Sequence, residues 1–230
     1  MFLHGFLPSL LEGAAVTLGV ALSSLLIAAL LGLTGALAKL SRSRIAQAVA
    51  GLYTTVIRGV PDLVLMLLVF YGGQLGINTL APMLGHEDYI DIDPFLAGVL
   101  TIGFIFGAYL TEAFRGAFLA VPPGQREAGL AFGMSPRQVL WRITLPQMLR
   151  HALPGISNNW LVLIKSTAIV SVIGLSDLMT RGQQAAGTTR EPFSFYLAVA
   201  VIYLLFTTVS ELGFAWAQRR LAIGVKEGRL

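Results

Sequence analysis

Cysteine is missing from all 230 residues, which excludes disulfides, thiolate metal sites and cysteine nucleophiles while leaving the redox compartment open. Charge is scarce as well, at 12% of residues, against about 25% in soluble globular domains. Histidine occurs only as His4, His86 and His151, none with a carboxylate at ligand spacing, so no metal site is expected. No Ser/His/Asp arrangement stands out that would give an intramembrane enzyme its catalytic group. There is also no Gly-x-x-x-x-Gly-Lys-Ser/Thr run, and the one Lys-Ser pair, Lys165-Ser166, falls inside an apolar stretch. ATP is therefore not expected to bind this chain through a P-loop. Met1 to Glu12 carries no Lys or Arg, so the apolar run behind it is expected to stay in the chain as a membrane helix.

Hydrophobic residues fill what charge leaves empty, at 55% of the chain, with a mean hydropathy of +0.74. This composition belongs to an integral membrane protein, because about 20 consecutive apolar residues cross a bilayer as a helix. Five stretches qualify. Gly13 to Ala38 is uncharged, and Leu63 begins a second run whose Gly72-Gly73, Gly76 and Asn78 predict a helix end near residue 75. Ile45 to Arg58 ahead of it reads as helical too, with a break at Gly59-Val60-Pro61, where proline removes a backbone donor. Phe95 to Phe118, Ala152 to Ser176 and Phe193 to Ala217 complete the set. Backbone polar groups in lipid must bond internally, so all five are expected as helices of one domain spanning residues 1–230.

Basic residues fix an expected orientation. Lys39, Arg42 and Arg44, then Arg126, Arg137, Arg142 and Arg150, then Arg219, Arg220, Lys226 and Arg229 fall on one side, and only Arg181 and Arg190 on the other. The opposite loop from Gly76 to Pro94 is acidic, with Glu87, Asp88, Asp91 and Asp93. The positive-inside rule then gives N-out, C-in topology. The pI of about 9.7 reflects this loop bias and not a nucleic-acid partner.

The segment at about 121–150 is the most patterned part of the chain. Ser135, Pro136 and Gln138 form an N-cap, a first-turn proline and a capping-box partner, so a helix starts there. Gly133 suits the left-handed residue that closes a preceding helix from about Pro123 through Glu127-Ala128. The second helix, with Val139, Leu140, Trp141 and Ile143, is expected to stop at Leu145-Pro146. The pattern is a hairpin with exposed apolar and aromatic residues, suited to docking in a groove; a plain linker between two spans is the alternative.

Glu127-Ala128, Gly133 and Ile143-Thr144-Leu145-Pro146 resemble the EAA loop of permease subunits in bacterial ATP-binding-cassette importers. Gly129 departs from the third alanine common in that family, a small change. The resemblance continues through Ile57-Arg58-Gly59-Val60-Pro61, Thr111-Glu112-Ala113-Phe114-Arg115-Gly116, Pro123-Gly124-Gln125 and Leu163-Ile164-Lys165-Ser166-Thr167-Ala168, which are similar to polar amino-acid permeases. Ile57 to Tyr71, Ile90 to Pro94 and Phe206 to Ser210 look closest to the Q-type subunit of histidine/lysine/arginine/ornithine importers. The resemblance implies a type I importer permease in the bacterial inner membrane that does no chemistry itself. ATP and Mg would bind a dimeric ATP-binding subunit. The other implied partners are a second homologous permease and a periplasmic amino-acid-binding protein. Glu127, Ala128, Gly133, Ser135, Pro136, Ile143, Leu145 and Pro146 would make the contact with the ATPase. A self-sufficient secondary transporter or channel is the competing class, without visible inverted repeats to support it.

Charge at membrane depth costs at least about 2.5–3.5 kcal/mol on insertion scales, so each ionisable residue there needs a partner or a use. Glu112 and Arg115 stand three apart and can pair along one helix; Glu112 is equally a candidate to hold a substrate ammonium or guanidinium. Lys165 is expected inside the bundle, paired with a carboxylate such as Glu112 or lining the path. Asn158 and Asn159 offer amides to a zwitterion or to another helix, and Thr167 joins them as a candidate path residue. Glu211 is expected near an interface and solvated. Gly98, Gly103 and Gly107 are expected to let helices approach closely.

Overall fold

The computed structural model describes residues 2–85 and 88–221, apart from the side chains of Phe2, His4 and Leu84, so His86, Glu87, Lys226 and Arg229 lie outside the described residues. All regular structure among them is helical: α1 (Leu7–Leu40), α2 (Arg44–Gly59), α3 (Asp62–Leu80), α4 (Pro94–Leu119), α5 (Pro123–Ala131), α6 (Pro136–Val139), α7 (Leu145–Ser166), α8 (Leu178–Thr189) and α9 (Pro192–Leu221). Five helical segments are long and apolar enough to cross a membrane: α1, α3, α4, the continuous run Pro136–Ile173, and α9.

Helix α4 is the axis of the bundle. Its start is capped by Asp93, whose carboxylate accepts from the Leu96 N–H at 2.8 Å, and its glycines admit the neighbouring helices. A Cβ at Gly103 would stand 2.8 Å from Ile27 Cβ, one at Gly107 2.8 Å from Leu31 Cβ, and one at Gly98 2.9 Å from Val170 Cγ1. Helix α1 answers with Gly32, where a Cβ would come within 2.6 Å of Leu110 Cβ. Helices that lack a hydrophobic driving force between them in lipid associate through such close backbone approach. A second, smaller core of Leu3, Leu10, Leu178, Ala185, Phe195 and Val199 ties the start of α1 to α8 and the first half of α9.

Three boundaries differ from expectation. Helix α3 does not end near residue 75 but runs to Leu80. Its Asn78 pairs with both backbone groups of Ile90, accepting from the N–H at 2.8 Å and donating to the carbonyl at 2.8 Å, while Gln74 accepts from the Ile92 N–H at 2.9 Å. Asn78, one of the residues that suggested a stop, instead joins Gln74 in fastening the acidic loop to the helix. Second, the chain does not leave the helix at Leu145-Pro146. Leu140–Thr144 forms a π-turn whose i→i−5 bond, Leu145 N–H to Leu140 carbonyl, widens the coil ahead of proline, and α7 follows without a break. Third, α8 was not foreseen; Asp177 caps it by accepting from the Thr180 N–H at 2.9 Å. The break at Gly59-Val60-Pro61 is present, with Val60 extended at φ −110°, ψ 138°.

Candidate functional site

The hairpin follows its local rules closely. Helix α5 closes in a Schellman arrangement, with Gly133 N–H bonded to the Leu130 carbonyl at 3.0 Å and Met134 N–H to the Gly129 carbonyl at 3.1 Å, and Gly133 sits at φ +79°. The Ser135 hydroxyl accepts from the Gln138 N–H at 3.3 Å while the Gln138 side chain accepts from the Ser135 N–H at 2.8 Å. The two arms pack through Gly129, where a Cβ would lie 2.7 Å from Ile143 Cδ1 and 3.0 Å from Val139 Cγ2. An alanine at this position would shift the tip of the Ile143 side chain, so the glycine marks where the two arms pack most closely.

Among the charged side chains that the hairpin presents outward, such as Arg126, Arg137 and Arg142, stand two large aromatic ones. Phe132 is 88% exposed and Trp141 65% exposed. Glu127 and Ala128 are exposed as well, while Leu145 and Pro146 are carried on the continuous helix. Glu127 and Arg126 line a groove of about 490 Å³ between the hairpin and the ends of α1 and α4, together with Leu40, Phe118 and Thr144. Large aromatic side chains left in solvent on a rigid frame mark an interaction surface.

Glu112 is committed within the chain. Its carboxylate accepts from Arg115 Nε at 2.9 Å and from Lys39 Nζ, and Lys39 also donates to the Thr54 hydroxyl at 2.6 Å. The pair with Arg115 was expected. Lys39, on α1 and 73 residues away, was not, because nothing local in the sequence links them. Lys165 therefore does not pair with Glu112; it makes no ion pair among the described residues and is exposed on this chain, where sequence reasoning had placed it inside the bundle. Asn158 is exposed seven residues before it, and His151 seven before that, so all three share one open face of α7. Asn159 and Thr167 point elsewhere: Asn159 donates to the Gly155 carbonyl at 2.8 Å, and Thr167, fully buried, to the Ile164 carbonyl at 2.7 Å.

Residues 28–223 match the family described as binding-protein-dependent transport system inner membrane component. The chain belongs to that family. It is 53% identical over 228 residues to the histidine/lysine/arginine/ornithine transport system permease protein HisQ of Escherichia coli (strain K12), covering 99% of this chain and 100% of HisQ. It is 43% identical over 231 residues to the octopine transport system permease protein OccQ of Agrobacterium tumefaciens (strain Ach5), covering 98% of each. Among solved structures, an amino acid ABC transporter crystallised with histidines superposes with a TM-score of 0.79 at 32% identity, covering 94% of this chain and 95% of that one. The permease is thus a membrane subunit of an ATP-binding-cassette importer. No group of three or more His, Cys, Asp or Glu residues gathers at metal-binding distance among the described residues.

Proposed function

We propose that this permease forms half of the translocation pathway of an importer for polar, basic amino acids of the histidine/lysine/arginine/ornithine type, and takes its power from a separate ATPase dimer through the hairpin. The carrying observation is the hairpin itself: two capped arms locked through Gly129, presenting Phe132 and Trp141 to solvent at the end of the bundle. Because the π-turn makes the second arm continuous with the fourth span, a push on the hairpin is delivered as a tilt of α7 with no flexible joint between. The relatives named for basic amino acids and opines support the cargo class. In this reading the N-terminus lies outside, the hairpin lies in the cytosol, a second homologous permease covers the α7 face, and a periplasmic binding protein delivers the amino acid at the opposite end. Lys165 and Asn158 line the path, where the ammonium faces the substrate carboxylate and the amide its zwitterionic head.

The absence of cysteine makes the test clean. Single cysteines at Phe132 and Trp141, introduced into the full importer, are expected to crosslink to the ATPase subunit, and a cysteine at Thr188 on the far end is not. Capture of Phe132→Cys by no ATPase subunit would sink the docking role. Gly133→Val places a β-branched residue at φ +79°, a strain of about 1–3 kcal/mol; it is expected to abolish amino-acid-stimulated ATP hydrolysis while membrane insertion stays intact.

A further inference from the structure

The cleft between the last turn of α1, the second half of α2 and α4 holds positive charge that the chain leaves unbalanced. Lys39 and Arg58 bring two cations to its lining against one carboxylate, Glu112, which is already held by Lys39 and, from outside the lining, by Arg115. Arg58 stands apart from the two that hold it. It makes no ion pair or hydrogen bond among the described residues, and Asp62, one turn further on, does not reach it. Its guanidinium carbon lies 5.3 Å from the centre of the Tyr109 ring, a cation–π contact that holds the group beside the cleft without using its N–H donors in hydrogen bonds. Lys39 spends two of its three donors, on Thr54 and Glu112, and keeps one. The cleft, about 390 Å³, is completed by Thr54, Thr55 and Gly59; the Thr54 hydroxyl is already committed, donating to the Gly51 carbonyl at 3.1 Å, so the further donor the lining adds is the exposed Thr55 hydroxyl. A guanidinium fork beside an ammonium and a hydroxyl is the donor set that phosphate and carboxylate groups take.

We propose that this cleft is an oxyanion-binding site, with Arg58 the principal donor and Lys39 the second, filled by the phosphodiester of an anionic lipid headgroup or by a free oxyanion from solution. Basic pockets between membrane helices near the positively biased face are where such headgroups are held. Arg58 immediately precedes the Gly59-Val60-Pro61 break, so an anion bound there ties the α2–α3 joint to α4.

The full chain, purified in detergent, is offered equal amounts of phosphatidylglycerol or phosphatidylcholine and weighed by native mass spectrometry. Its melting midpoint is followed in parallel in sodium phosphate against sodium chloride at matched ionic strength. A lipid source gives phosphatidylglycerol adducts about threefold over phosphatidylcholine; a free-anion source gives a rise in the midpoint specific to phosphate. In either arm Arg58→Gln removes the preference, Arg58→Lys retains part of it, and Arg190→Gln at the opposite end leaves it whole. Should Arg58→Gln fail to accumulate, Thr55→Leu, which fills the cleft from an exposed position outside the ion pairs, is expected to remove the same preference. The proposal is overturned by the absence of preference in both arms, or by a preference that persists undiminished in Arg58→Gln or in Thr55→Leu.

Discussion

Helices α4 and α9 are nearly equal in apolar character, with mean hydropathy of 1.7 and 1.9 over their most apolar windows, yet 67% of that window is buried in α4 and 11% in α9. Hydropathy places both in the membrane and says nothing about which is central. Small residues decide that. Helix α4 carries Gly98, Gly103 and Gly107, each already touched by a neighbouring side chain, whereas Gly213 of α9 has nothing within 4 Å. Helix α9 buries only Phe195 and Val199, both in its first half, rests Phe206 and Phe214 partly buried against the main core, and shows Leu204, Leu205, Val209, Leu212 and Trp216 to its surroundings. In lipid an apolar surface gains nothing by turning inward, so shape and polar pairing select the core.

The hardest break in this contrast is Gly103→Leu. Its Cβ would meet Ile27 Cβ and Cγ2 at 2.8 Å and the Ser24 carbonyl at 3.3 Å, atoms of α1 that cannot step aside singly. Overpacking of this kind costs about 1–3 kcal/mol and more where backbones must separate. The variant is expected to fall in melting midpoint and in folded yield, and Gly213→Leu to match the parent in both. Equal losses in the two would mean that small residues do not set which helix is central.

A milder test compares carboxylates. Glu112→Gln leaves Lys39 and Arg115 facing each other without their shared counter-charge, where the side chains are 17% and 39% exposed. A fully buried pair loses about 3–5 kcal/mol on breaking; solvent at these exposures reduces the expected cost to about 1–2 kcal/mol. Glu211→Gln, exposed on α9, is expected to stay within about 0.5 kcal/mol of the parent. Denaturation of the two variants in the same detergent measures both, and a loss at Glu211 as large as at Glu112 would erase the distinction.

The same contrast explains what could be read in advance. All five spans were legible, because length and apolarity are local, and so was the hairpin, whose capping box and left-handed glycine lie within a few residues of one another. The end of α3 was misjudged because Asn78 and Gln74 find their partners at Ile90 and Ile92, beyond a turn. Continuity through Pro146 was missed because a π-turn absorbs the lost donor, and no residue type announces one. Lys39 as the partner of Glu112, and the open position of Lys165, depend on how helices distant in sequence are arranged. Helix α8 carries Gln183, Gln184, Thr188 and Thr189 within a single short element, too polar for a span and without a repeat to draw notice.

The smallest effect concerns the point where α9 is fastened. Asp177 is fully buried beside that attachment; one oxygen caps α8, and the other, Oδ2, has no hydrogen-bond partner among the described residues. Burial pushes its carboxyl above the usual aspartate value of 3.8, against the opposing bonds from Thr180. A carboxyl with a raised folded pKa binds more protons folded than unfolded, so stability is highest below the ordinary value and declines as pH rises through the raised one. Asp177→Asn keeps the side-chain oxygen that caps the helix and replaces the orphaned oxygen with an amide that carries no charge at any pH. The parent's melting midpoint is therefore expected to drop as pH is raised from 4 towards 8 by more than the variant's, with the variant equal or higher at neutral pH. Parallel pH profiles would show that Asp177 does not ionise at a cost, and that the fastening of α9, like its outer surface, is indifferent to charge.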